Sequence, residues 1–381
     1  MPRKRKTTRR GNGEGSIYQR KDGRWGASIT IGYDEKGKVR RRHVYGRTKK
    51  EVQDELSKLQ GQKVDGTLGE ISKLTVAQFV EKWLEDSVRP ALARKTYCHY
   101  EYVVRCFINP HVGGVRLTNV TPAHIQGMYS AMERDGHSPT KRAHTHRVMR
   151  RAMNVALKWG MIARNPCLAV DPPRYEKRDI QPLNDEQTKQ LLKEAEPHRH
   201  YALFVLAVTT GLRQGELFGL RWEDVDLKKE RLHVRHTLEE IHGQLRLKEP
   251  KSASGRRNVH LPRVAVEALH EHRKRMMAEG LAGSEIVFCD TQGGFLRKSN
   301  FDRNVWKPLR KAAGIPPIRF HDLRHTAATL LLSQGVHPKV VQERLGHATI
   351  TITLDTYSHV LPSMQEDAAG KLDRLFGQAG A

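Results

Sequence analysis

With 381 residues the chain is too long for one ordinary core, which predicts two or three domains. Hydrophobic residues make up only 38%, and 67 Lys plus Arg against 42 Asp plus Glu give a formal charge of +25. That excess points to a polyanionic partner, and the dense phosphate charge of duplex DNA makes it the commonest one. The longest apolar run, Tyr201–Val208, is far short of a membrane span, so no membrane association is expected. Cys98, Cys106, Cys167 and Cys289 show no paired spacing, which speaks against a disulfide framework or zinc knuckle and predicts reduced thiols in a cytoplasmic protein. The basic start lacks a following apolar stretch and so does not read as a signal peptide.

The charge is uneven, since residues 1–63 hold 19 Lys/Arg against 7 Asp/Glu. After a basic arm, three strands are predicted at Ser16–Arg20, Arg24–Tyr33 and Val39–Tyr45, joined by Gly-containing turns. In the second strand Trp25, Ala27, Ile29, Ile31 and Tyr33 alternate with Gly26, Ser28, Thr30 and Gly32, giving one apolar and one small polar face. Thr48-Lys49-Lys50-Glu51 reads as a capping box opening a helix whose Val52, Leu56 and Leu59 can cover the apolar face. The opposite face, flanked by Arg20, Arg24, Lys38, Arg40 and Arg42, suits insertion into a DNA groove. Residues 1–64 are thus expected to form one DNA-binding domain.

From Thr75 the period becomes helical, with helices expected at Thr75–Val88, Ala93–Ile108, from Thr121-Pro122, and at Pro139–Trp159. The last carries Lys141, Arg142, Arg147, Arg150 and Arg151 with no evident acidic partner, the pattern of a phosphate-tracking helix. Residues 65–172 are expected to be a second, helical DNA-binding domain, 173–182 a proline-containing linker, and 183–381 a third domain capped at its start by Asn184. The fold class expected is therefore multidomain, mainly α with small β-sheets, ending in a mixed α+β domain.

In that last domain the apolar helix Tyr201–Thr210 stops at Gly211, and TGLRQGEL presents Arg213 and, one turn on, Glu216. Strands follow at Arg231–Thr237, Gln244–Glu249 and Arg256–Leu261, with Lys251 at the tip of the second hairpin. Then comes FHDLRHTAATLLLSQG, where Leu323, Ala327 and Leu330 fall within about 40° of one another on a helix. His321 and His325 project opposite them, with Arg324 on the flank nearest His321. A His-x-x-x-His pair can bind zinc, but Arg324 would set a cation beside the metal, and no Glu occupies the place a zinc hydrolase needs. Structural histidines are the plainer alternative.

Arg213 in TGLRQGEL, Lys251 in the hairpin, His321 and Arg324 in HDLRHT, His347 in LGH and Tyr357 in TLDTYSHV together resemble the tyrosine site-specific recombinases. The likeness is to phage and conjugative-transposon integrases, covers nearly the whole chain and departs at no catalytic position; some members carry Trp where His347 stands. It implies that residues 183–381 are the catalytic domain, 65–172 bind core-type sites and 1–64 bind arm-type sites.

A phosphodiester is anionic, so oxygen attack needs charge neutralisation, the role expected of the Arg213 and Arg324 guanidiniums. Tyrosine titrates near pH 10, so Tyr357 must lose a proton as it attacks, with His321 the candidate base or hydrogen-bond partner. Lys251 is the candidate acid for the departing 5′-oxygen, His347 a hydrogen-bond donor to the transition state, and Glu216 an orienting group. The 3′-phosphotyrosyl link conserves the bond energy, so no metal, nucleotide or other cofactor is expected. The resemblance further implies a homotetramer on double-stranded DNA, an excisionase or directionality factor, and a DNA-bending host protein. A resolution recombinase, a type IB topoisomerase and a non-catalytic DNA-binding regulator are the alternatives.

Overall fold

A computed structural model describes residues 15–33, 39–64, 73–176, 181–250 and 255–357, with a few positions between 369 and 376. Two units separate in the chain, 1–177 and 178–381. The C-terminal tail helix expected over Ser363–Phe376 lies mostly outside the described residues.

The first unit opens with β1 (Ser16–Gln19), β2 (Trp25–Tyr33) and β3 (Val39–Gly46), antiparallel in that order. The alternation along β2 works as expected: Ala27 and Ile29 are buried against Val52, Leu56 and Leu59 of α1 (Lys49–Val64). The Thr48 hydroxyl accepts the Glu51 N–H at 3.2 Å and the Glu51 carboxylate accepts the Thr48 N–H at 3.4 Å, completing the capping box. Register decides which side chains share the outward face. Tyr18 and Tyr45 flank Gly26, and Ser16 and His43 flank Ser28. A Cβ at Gly26 would come within 3.0 Å of the Tyr18 ring, so any larger residue there would press that ring aside. Arg20 lies over the Tyr45 ring, 4.8 Å from its centroid.

The basic flank differs from expectation. Arg42 pairs with Ile29 and so shares the side that faces α1, whereas Arg41, opposite Thr30, belongs to the outward face. Lys38 and the side chain of Arg40 lie outside the described residues.

The rest of this unit is helical: α2 (Val76–Trp83), α3 (Arg94–Val103), α4 (Pro122–Arg134) and α5 (Pro139–Lys158). Phe79, Trp83, Phe107, Ile125, Met128 and Met149 form its core. The helices expected to reach Val88 and Ile108 do not stay α-helical. Each widens into a π-helical turn, Leu84–Val88 and Val104–Ile108, just ahead of Pro90 and Pro110. A proline lacks an N–H and clashes with the carbonyl four residues back, and the wider turn accommodates it.

In the second unit, Asn184 and Gln187 cap α6 (Asp185–Ala195) reciprocally. Next, α7 (Tyr201–Thr210) is buried on nearly all sides and stops at Gly211 in the left-handed region, φ 64°. After α8 (Gln214–Phe218) come β4 (Val225–Asp226), β5 (Arg231–Val234), β6 (Thr237–Ile241), β7 (Gln244–Lys248) and β8 (Arg257–His260). The expected strand Arg231–Thr237 is broken. Arg235 and His236 interrupt it, both drawn to the buried Asp224 carboxylate at 3.4 and 3.5 Å. As a result β8 pairs with β5 in one sheet while β6 and β7 form a separate ribbon, so the hairpin expected around Lys251 is not formed by β7 and β8. The helices that follow include α9 (Arg263–Ala278), α10 (Asp322–Ser333), α11 (Pro338–Leu345) and α12 (Ile350–Tyr357).

Candidate active site

The site grows from the end of α7. Its left-handed Gly211 frees a carbonyl that accepts the Arg324 Nη1–H at 2.8 Å, and the chain then turns to place Arg213 at the start of α8. The Glu216 carboxylate receives the Arg213 N–H at 2.9 Å and its Nη1–H at 2.7 Å. Arg213 also donates from Nη2 to the Gly346 carbonyl at 3.1 Å, tying α8 to the end of α11. A second cation completes the cluster. Arg257 of β8 donates to Glu216 from Nη2 at 2.9 Å and from Nε to the Arg344 carbonyl at 2.7 Å. Burial pushes the Glu216 carboxyl up, but hydrogen bonds from Arg257 and the charges of both arginines outweigh it and hold it below the usual carboxylate range.

Arg324 is buried on α10, although its helical position suggested an exposed flank. Among the described residues its buried Nη2 has no hydrogen-bond partner. Burial, reinforced by the neighbouring Arg213 charge, lowers the guanidinium to about 9. A buried guanidinium edge without an acceptor is costly unless an anion completes it.

Tyr357 ends α12 at 1% exposure, packed with Ala328, Leu332, Val341 and Leu345. Burial raises its hydroxyl to about 12, against the opposing pull of Arg324. Its Oη lies 2.8 Å from Nδ1 of His325. The His321 ring sits 5.9 Å from that of His325, and among the described residues no hydrogen bond links His321 to Tyr357. Burial and then Arg324 push His321 down to about 4. His347, lowered to about 4 by burial and then Arg324, shares a 2.9 Å hydrogen bond between its Nδ1 and Thr353 Oγ1 on α12. Gln342 steadies it by donating to the His347 carbonyl at 2.6 Å.

Arg213, Glu216, His321, Arg324, His347 and Tyr357 are therefore gathered in one place, linked by hydrogen bonds or by mutual electrostatic influence. Lys251 lies outside the described residues. Three members escaped sequence reasoning: Arg257, Thr353 and His325, the last visible in HDLRHT but without a role. The i, i+4 spacing of Thr353 and Tyr357 is the signal that could have found one of them. Among the described residues no three His, Cys, Asp or Glu side chains converge as a metal centre requires, and the His321–His325 pair has no third ligand.

The basic residues of α5 are in the other unit and are not all free. Arg142 pairs with Glu133 at 2.7 Å, against the expectation of a strip without acidic partners. Lys141 lies over Phe107, and Arg151 donates to the Tyr100 hydroxyl at 3.2 Å. Arg147 and Arg150 are exposed, and with His146, Pro172, Pro173 and Tyr175 line an open cleft of about 790 Å³.

A buried tyrosine hydroxyl within electrostatic reach of an acceptor-starved guanidinium, on a mainly helical scaffold, suits covalent phosphoryl transfer. Residues 181–364 match the phage integrase family and residues 75–132 the phage integrase N-terminal SAM-like domain. A tyrosine recombinase XerC-like protein of Caldanaerobacter subterraneus subsp. tengcongensis is 31% identical over 373 residues, covering 92% of this chain and 95% of the relative. An integrase of Saccharopolyspora erythraea is 30% identical, covering 97% of this chain and 98% of its own. The fold is shared with the Tn1549 transposon integrase in complex with a circular intermediate DNA, at TM-score 0.67 and 23% identity, over 80% of this chain and all of that one. It is shared too with a lambda integrase tetramer bound to a Holliday junction, at TM-score 0.58 and 19% identity, over 88% of this chain and 96% of that one. The chain belongs to the phage integrase family of tyrosine recombinases, enzymes of site-specific DNA recombination. Among the described residues no helix is long and apolar enough to cross a membrane.

Proposed function

We propose that this recombinase integrates and excises a mobile element or phage genome in the bacterial cytoplasm, with Tyr357 as the nucleophile that forms a 3′-phosphotyrosyl bond. The observation that carries the assignment is the buried, unpartnered Nη2 of Arg324, beside Arg213 and within electrostatic reach of Tyr357. A phosphate oxygen supplies the acceptor that this edge lacks, and Arg213 takes the other non-bridging oxygen. Glu216 holds Arg213 in place, and His321 and His347 donate hydrogen bonds to the phosphate. Burial keeps both imidazoles neutral, so each offers one N–H without adding charge. Lys251 protonates the departing 5′-oxygen.

In this reading residues 1–64 grip arm-type DNA sites through the outward face of the N-terminal sheet. Residues 65–172 grip core sites, with Arg147 and Arg150 among the exposed cations of α5, residues 173–182 link them to the rest, and residues 183–381 perform catalysis. The family likeness supports a homotetramer on DNA, assisted by a directionality factor and a DNA-bending host protein.

The test uses the full chain with duplex DNA taken from the regions flanking its gene. Wild-type protein should form a denaturation-resistant protein–DNA adduct, and Tyr357→Phe none. No adduct with wild type, or an adduct that persists in Tyr357→Phe, would overturn the assignment. Relaxation of any supercoiled plasmid at equal rate, with or without the flanking sequence, would instead indicate a topoisomerase.

A further inference from the structure

We propose that His325, not His321, accepts the Tyr357 proton as the phenolic oxygen attacks the phosphorus. This rests on Tyr357 being the nucleophile. Geometry selects the base: Nδ1 of His325 lies 2.8 Å from Oη, within the range of a productive proton transfer. His321 makes no such contact among the described residues. The other groups around the phenol cannot take its place. Arg324 has donors only, and the Thr353 hydroxyl is engaged by His347. At 1% exposure Tyr357 has little access to bulk water as a proton acceptor.

For Nδ1 to accept, the ring must be neutral with its proton on Nε2. Burial keeps it neutral, with the Asp322 carboxylate opposing and Arg324 and Arg319 assisting. Those groups, with His321 on the same segment, His347 before α12 and Tyr357 on it, are the titratable and charged neighbours that set its protonation.

The step balances. The Oη–phosphorus bond forms, the bond from phosphorus to the 5′-oxygen breaks, and the phenolic proton moves to Nδ1. The leaving 5′-oxygen takes its proton from a separate acid, and His325 stays an imidazolium in the covalent intermediate. When a 5′-hydroxyl attacks to rejoin the strand, that proton returns to Tyr357. His325 is then reset for the next cycle.

Single-turnover cleavage of the flanking-region duplex by full-length protein tests the assignment. His325→Ala should slow cleavage by about 100-fold or more, and added imidazole should restore part of the loss. His325→Gln, which keeps a hydrogen-bonding group but cannot titrate, should lose the acid limb of the pH–rate profile. A 5′-bridging phosphorothiolate, whose leaving group needs no proton, should not relieve His325→Ala but should relieve Lys251→Ala. The proposal is overturned if His325→Ala stays within about threefold of wild type. It is equally overturned if imidazole leaves the loss unchanged and His325→Gln keeps the acid limb. Both outcomes leave the nucleophile assignment standing, because that fails only if the wild type forms no adduct or Tyr357→Phe still forms one.

Discussion

Glu216 is the residue on which the cationic half of the site depends. It is 4% exposed and answers two guanidiniums, Arg213 from its own helix and Arg257 from a strand about forty residues later. Removing one member of a buried ion pair leaves the other charge uncompensated, at about 3–5 kcal/mol. Arg257→Met should therefore lower the melting temperature of the protein by about 10 °C, measured by differential scanning calorimetry. It should slow cleavage as well, because Glu216 would be free to turn from Arg213. A melting temperature unchanged from wild type would show that Arg213 alone satisfies Glu216. His325 teaches the complementary lesson at this scale. Helical periodicity put it on the same side as His321 but could not say which ring Tyr357 would meet, since that depends on how α12 returns over α10.

At the scale of elements, Gly211 matters more than its size suggests. Its positive φ ends α7, its carbonyl holds Arg324, and a Cβ there would lie 2.4 Å from Leu345 of α11. Gly211→Ala should cost about 1–2 kcal/mol for the left-handed backbone plus the displacement of Leu345. Because Leu345 packs against Tyr357, cleavage should fall too. Gly243→Ala is the control, with a similar φ of 76° and nothing near its Cβ, so it should show the backbone cost with normal cleavage. Equal losses of stability in the two variants, by thermal melting, would remove the steric argument.

The same scale shows what was legible beforehand. The N-terminal sheet and the caps at Thr48, Thr121 and Asn184 were readable, because alternation and capping are local. Most of the candidate catalytic positions are legible through motif resemblance, not through periodicity. The π-helical turns were not anticipated, although Pro90 and Pro110 mark them. The division of the C-terminal strands into two sheets falls where Arg235 and His236 pair with the buried Asp224, a tertiary contact that no local pattern encodes. Arg257 was hidden for the same reason.

Taken as a molecule, the protein carries buried neutral histidines that tie its stability to pH. His200 is 5% exposed and pushed down to about 3 by burial and the nearby Arg199, and His272 is lowered by burial in the same core. An unfolded histidine takes up its proton near pH 6.5 while the folded one resists. Stability should therefore be fully present above about pH 6.5 and fall as pH drops toward 3, by a few kcal/mol from His200 alone. Melting curves at pH 7.5 and 5.0 should show the loss, and His200→Leu should reduce the difference. An identical difference in the variant would assign the acid sensitivity to other groups.

The contact between His347 and Thr353 has a mechanical consequence. Thr353 and Tyr357 stand one helical turn apart on α12, so withdrawal of the tyrosine also strips His347 of the hydroxyl that orients its ring. With Tyr357 as the proposed nucleophile and His347 as a proposed phosphate donor, a displacement of α12 would disarm both at once.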